Sequence, residues 1–357
     1  MGRIFVTILL ALLFAANGMS QDRTAFKIRL ENIARQNDFF ASGVFNTPVD
    51  STAPGAVGPG AAYEFSFYAA PGANISFATM FIPSNDLFFA PDENGIALYQ
   101  NDGTPVSGDV TDQILLWDAG TEANEEPRVG PNQAQRQAGA NTGPADPNTA
   151  VRTVNDGFTY PPVADVLRVT IDSDSAPHFT VRIENVSTGT TLMPSDGSSQ
   201  AVPIAPGLWV VHTEAAPLFT SGQADRGAGL EAIAEDGDPS ALGADLAMRS
   251  GLNVVFSPGV WAVHTGDGAL FTPGQPDYGD GLENIAEDGD ASVLAANLPN
   301  RTGVTSSAAF NTPVGAEQPG AIPTGMAYEF TVTALPSEML SFVTMFVPSN
   351  DLIVAPG

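Results

Sequence analysis

Short runs in which apolar and polar residues partly alternate recur along the chain. AYEFSFYA (62–69), ISFATMFI (75–82), DVLRVTID (165–172) and FTVRIENV (179–186) mix aromatic and β-branched residues and are bounded by Pro, Gly, Asn or Asp. That is the signature of short strands closed by turns. Helical spacing is confined chiefly to GLEAIAEDG (229–237) and GLENIAEDG (281–289), where Leu230, Ile233 and Ala234 share a face and Gly237 suits a helix stop. The pattern predicts an all-β sandwich with short helical insertions. Residues 123–162 are polar and turn-rich, and a loop of that length is usually functional or mobile.

Two different repeats run through these elements. SFATMFIPSND (76–86) returns as SFVTMFVPSND (341–351), and FNTPV (45–49) returns at 310–314, both offset by 265 residues. A second module beginning LWVVHT at Leu208 returns at Val260, with Trp209, His212 and Asp238 each matched 52 residues later. Repeats of this kind are read as duplicated structural units. The expected division is a signal segment over 1–20, a first unit over 21–176 and a second over 177–357. The break is placed at the turn-like DSDSAP (172–177), and the tandem second unit stops before any D-A-G-T-E run, which is expected of a fragment rather than of an incomplete second sandwich.

Charge and cysteine content narrow the functions. The balance of 13 Lys+Arg against 40 Asp+Glu gives a net charge of −27. Such a surface repels nucleic acid and anionic membranes and attracts cations and basic partners. Cysteine is absent, which excludes thiol chemistry, and only His178, His212 and His264 are present, too few for an all-histidine metal site. The first 21 residues, with Arg3 ahead of an apolar run from Ile4 to Ala16, read as a secretory signal cut near Ser20. The expected location is therefore extracellular or periplasmic, with no membrane span in the mature chain. Asn74, Asn185 and Asn300 begin glycosylation sequons that matter only in a host that uses them.

The candidate chemistry is acidic. Asp86 closes a strand-like run, and LLWDAGTEANEE follows with Asp118 and Glu122 four residues apart across small residues. Converging carboxylates raise one another's pKa unless a cation joins them, and calcium takes such oxygen ligands. The spacing is also compatible with Asp86 capping a turn while Asp118 and Glu122 face solvent. TMFIPSNDLF, ILLWDAGTEAN and DVLRVTI together resemble the spondin N-terminal domain, a module of secreted proteins. The VVHT…AEDGD module is similar to an earlier part of it. The resemblance implies a C2-like antiparallel sandwich with one calcium ion at its loop end, ligated here by Asp86, Asp118 and Glu122. It also implies adhesion to an extracellular protein or glycan. Leu87 stands where the family often has tryptophan, and Asp351, the counterpart of Asp86, has no D-A-G-T-E run after it.

Two other readings follow from the same acids. One is an acidic structural envelope protein that binds many cations weakly, through the AEDGD loops that hold Glu235, Asp236 and Asp238 and their copies. Solvated loops are the plainer expectation there. The other is a carboxylate-dependent hydrolase. A polar loop that packs acids together favours a metal over a general acid, and no nucleophile elbow, phosphate loop or H-E-x-x-H motif is found. His212 and His264, each after an apolar pair, are expected to be hydrogen-bonded strand residues.

Overall fold

In the computed structural model the protein is all-β. Residues 22–134, 136–175, 177–266 and 269–356 are described, so the expected signal segment lies outside them. In chain order the strands are β1 (Thr24–Glu31), β2 (Ala41–Phe45), β3 (Ala62–Tyr68), β4 (Asn74–Phe81), β5 (Leu87–Ala90) and β6 (Ile96–Ala97). Next come β7 (Gly108–Asp109), β8 (Leu115–Asp118), β9 (Arg152–Thr153), β10 (Leu167–Ser175), β11 (His178–Asn185) and β12 (Ile204–His212). Helices α1 (Leu230–Asp236) and α2 (Ser240–Arg249) precede β13 (Phe256–His264). Helices α3 (Leu282–Asp288) and α4 (Ser292–Asn297) precede β14 (Val304–Phe310), β15 (Ala327–Ala334), β16 (Met339–Phe346) and β17 (Ile353–Val354). No helix among the described residues is long and apolar enough to cross a membrane.

The strands form two compact units, one nested in the sequence of the other. One unit is Asn37–Gly251, and the other joins the segment through Gln36 to Leu252–Gly357. This corrects the expected boundary at 176: residues on either side of it belong to β10 and β11, antiparallel neighbours in one sheet. The division instead follows a long-range pairing, since β1 lies against β15 with Leu30 opposite Tyr328. Each unit thus owns one copy of the histidine-containing module, β12–α2 in the first and β13–α4 in the second.

In unit 37–251 one sheet has the order β3-β11-β10-β7 and the other β2-β12-β4-β5-β8-β9, with β6 also on β4. Phe65, Phe67, Val169, Ile171, Phe179 and Ile183 of the first meet Ile75, Phe77, Leu87, Phe89 and Ile204 of the second in one core. The first sheet alternates, as in β11, where every second residue is buried. β4 is buried along nearly its whole length, because α1 covers its other face while α2 packs on the neighbouring β2. Ala78, Phe88, Trp117, Leu208 and Val210 pack there against Leu230, Ile233, Leu242 and Leu246. Strands covered on both sides lose the alternation that half-exposed ones keep.

The other unit repeats this plan in part. Its sheets are β14-β13-β16-β17 and the pair β1-β15, enclosing Ile28, Leu30, Trp261, Phe310, Tyr328 and Phe342. Register shifts fall at the same place in both units, between Ile204 and Gly207 and between Phe256 and Gly259. A Cβ on Gly207 would lie 2.2 Å from the Ala78 carbonyl oxygen, and one on Gly259 would lie 2.1 Å from that of Val343. Tyr63 and Tyr328 donate to the carbonyls of Gly55 and Gly320, both at 2.6 Å.

Candidate functional site

The run Ser84-Asn85-Asp86 turns the chain from β4 into β5 and fastens the next loop to it. Ser84 Oγ donates to the Phe81 carbonyl at 2.6 Å and accepts from Leu87 N at 3.2 Å, closing the turn. Asn85 clamps the loop after β8, its Nδ2 donating to the Ala123 carbonyl at 3.0 Å and its Oδ1 accepting from Glu125 N at 3.2 Å. Because Leu87 pairs with Asp118 across β5 and β8, the two acids at these strand ends are brought side by side.

Asp86 is fully buried. Its Oδ2 accepts three hydrogen bonds, from Thr121 N at 3.0 Å, Thr121 Oγ1 at 3.2 Å and Glu122 N at 3.0 Å. Its Oδ1 is buried without a hydrogen-bond partner. Burial, with the Asp118 charge second, pushes the Asp86 carboxyl up to about 7 despite the three donors. Asp118, buried too, is raised mainly by burial. It accepts from Gly120 N at 2.7 Å and Asn124 Nδ2 at 2.6 Å. Arg152 lies 2.6 Å from Asp118 and 2.5 Å from Asp146, so its guanidinium is the resident counter-charge. Asn124 Oδ1 is a second buried oxygen without a partner.

Glu122 is buried but its carboxylate turns elsewhere. Oε1 accepts from Gly143 N at 2.6 Å, and Oε2 lies 3.4 Å from Asn85 Nδ2. It joins Asp86 through its backbone N–H, and its charge acts instead on Glu231 and Glu235 of α1. Asp351 is exposed in its unit. Among the described residues no three His, Asp or Glu side chains are grouped so as to hold a metal ion. An oxygen-only donor set suits a hard cation. Asp86 Oδ1, Asp118 and Asn124 Oδ1 fit that requirement, whereas Glu122 fits only if it leaves Gly143.

Glu235 departs from the solvated-loop expectation. It is buried and accepts from Asn141 N at 2.6 Å, and burial pushes its carboxyl up to about 7. Its copy Glu287 is exposed, as are Asp236, Asp238, Asp288 and Asp290. Asn141 N and Gln137 Nε2, from the segment after β8, reach Glu235 and Asp236 of α1. A lone acid beside an apolar helix face, in a chain with a long polar loop, is the signal that could have found it. Arg152 and Asn124 carry no comparable local mark.

His212 and His264 are hydrogen-bonded strand residues, as expected. His212 Nδ1 lies 2.6 Å from the Glu214 carbonyl, so it carries the proton, and Nε2 then accepts from Ser76 Oγ at 2.9 Å. His264 makes the same pair of contacts with Gly266 and Ser341.

No family model, curated protein or solved structure matches this chain.

Proposed function

We propose that unit 37–251 is a non-catalytic calcium-binding module that acts outside the cell in adhesion to a protein or glycan partner. The observation that carries this reading is the buried, unpartnered Asp86 Oδ1 beside a second buried carboxylate, Asp118. A buried acid pair is costly unless protonated or joined by a cation. Asn124, which donates its Nδ2 to Asp118 Oδ2, keeps a buried Oδ1 without a partner and could offer it to a cation by a turn of its amide. A bound cation would neutralise the Asp86–Asp118 pair and fix the turn after β4 to the loop after β8. That would stiffen the end of the sandwich that meets a partner.

The resemblance of the PSND and WDAGTE runs to spondin N-terminal domains supports the same residues, with Glu122 as a further ligand once it rotates away from Gly143. The near-complete burial of Asp86 and Asp118 disfavours a hydrolase, whose acids must touch substrate. Thermal melting of the full chain in EDTA, magnesium and calcium tests the proposal. Calcium is expected to raise the transition that contains Trp117, and Asp118→Asn to remove that rise. An equal rise in magnesium, or one that survives the substitution, contradicts it.

A further inference from the structure

Arg152 has four close oxygen neighbours, and only one of them belongs to the buried acid pair. β9 runs beside β8 so that Arg152 lies directly opposite Asp118. Its Nη2 is 2.6 Å from Asp118 Oδ2 and donates to Asp146 Oδ2 at 2.5 Å. Its Nη1 donates to the carbonyls of Asn148 at 2.6 Å and Ala150 at 2.9 Å. Three of the four contacts therefore come from the short segment 146–150 that leads into β9.

Asp146 is fixed without help from Arg152. Its backbone N donates to the Thr121 carbonyl at 3.2 Å, and its Oδ1 accepts from Asn148 N at 2.7 Å. The carboxylate is largely buried, so it holds the guanidinium close to Asp118. Asp118, Asp146 and Asp86 all act on this one guanidinium. Arg152 with Asp146 is a balanced pair. When ionised, Asp86 and Asp118 are then left with two negative charges, the complement of one divalent cation.

Asp118 cannot serve both positive charges equally well. Its Oδ1 accepts from Gly120 N, and its Oδ2 is already shared between Arg152 Nη2 and Asn124 Nδ2, both at 2.6 Å. A guanidinium and a metal ion crowded onto one carboxylate repel each other. Withdrawal of Arg152 from Asp118 alone leaves no buried charge isolated, since the guanidinium keeps a carboxylate and two carbonyls.

From this we infer that Arg152 is a built-in competitor for the cation site and sets its affinity. In the metal-free protein it bridges Asp118 and Asp146. In the loaded protein it gives up Asp118 and keeps Asp146 with the carbonyls of Asn148 and Ala150. Asp146 is thus a positioning residue, which receives the guanidinium that Asp118 releases. The inference rests on the calcium reading and names the residues that regulate that same site.

The test titrates calcium calorimetrically into the full chain and into Arg152→Gln, Asp146→Asn and Arg168→Gln, with urea unfolding of each in EDTA. Arg168→Gln is the control, because it removes the same charge from an ion pair with Glu184 on the opposite sheet. Arg152→Gln and Asp146→Asn should both lose stability in EDTA, yet their affinities should move apart. Arg152→Gln is expected to bind calcium about tenfold more tightly and Asp146→Asn about tenfold more weakly. The control should stay within about twofold of the parent. A purely structural role for Arg152 would weaken binding in both variants. The inference is overturned, with the calcium reading intact, if the parent binds but Arg152→Gln binds no more tightly. It is equally overturned if Asp146→Asn binds as well as the parent, or if the control tightens as much as Arg152→Gln. No heat of binding in any of the four chains overturns the calcium reading and this inference with it.

Discussion

Replacing Asp86 by Asn should remove the part of the pH dependence of stability in unit 37–251 that the Asp86 carboxyl contributes between pH 4 and 8. The Asp86 carboxyl is raised from 3.8 to about 7, by burial first and the Asp118 charge second. That difference corresponds to on the order of 4 kcal/mol held against the ionised form in the folded state. Because the folded value lies above the unfolded one, the contribution of this group is fully present below pH 3.8 and is lost as pH rises through 7. Asn keeps an oxygen for Thr121 and Glu122 and never ionises. Urea unfolding in EDTA, followed through Trp117 and Trp209, gives the comparison directly. The stability of Asp86→Asn relative to the parent should climb by several kcal/mol from pH 4 to 8. A difference that stays constant across this range would refute the reasoning, because the cost would then not come from the buried charge.

Three further outcomes follow from particular contacts. Arg152→Met should destabilise the same unit by about 3 kcal/mol in EDTA, since it leaves Asp118 buried without its counter-charge; calcium should recover part of this in the same urea experiment. Gly207→Ala and Gly259→Ala should each cost about 3 kcal/mol in their own unit, because the added Cβ meets backbone that cannot move aside. Trp209 reports the first and Trp261 the second. Burial holds the His212 imidazole below its ordinary 6.5, so the stability it contributes is present above about pH 6.5 and lost as pH falls through the folded value. Proton and nitrogen NMR should find that ring neutral with its proton on Nδ1 at pH 6.5, and a protonated ring there would contradict the assignment.

Much of the fold was legible in the residues themselves. Alternation marked β11, and the stop at Gly237 was written in a glycine that adopts φ 67°. The histidines after apolar pairs were read correctly as hydrogen-bonded strand residues. The nesting of the two units was not read, because no local feature announces that β1 pairs with a strand 300 residues away. The trace of it lay in the likeness of FKIRLEN to FTVRIEN, at an offset of 153. At the candidate site, strand ends fixed Asp86 and Asp118 next to each other, and both were named from the sequence. The direction of the Glu122 side chain depends on where the backbone of Gly143 falls, twenty-one residues on. Spacing within D-A-G-T-E cannot encode that. The burial of Glu235 has the same origin, in a distant loop that supplies Asn141.

Calorimetric titration of calcium into the full chain, beside Asp86→Asn and Asp118→Asn, tests the central claim most directly. One dominant site lost in both variants is the predicted result. Several weak sites indifferent to both substitutions, or no heat of binding at all, would contradict it and leave the buried acid pair to Arg152 and protons alone.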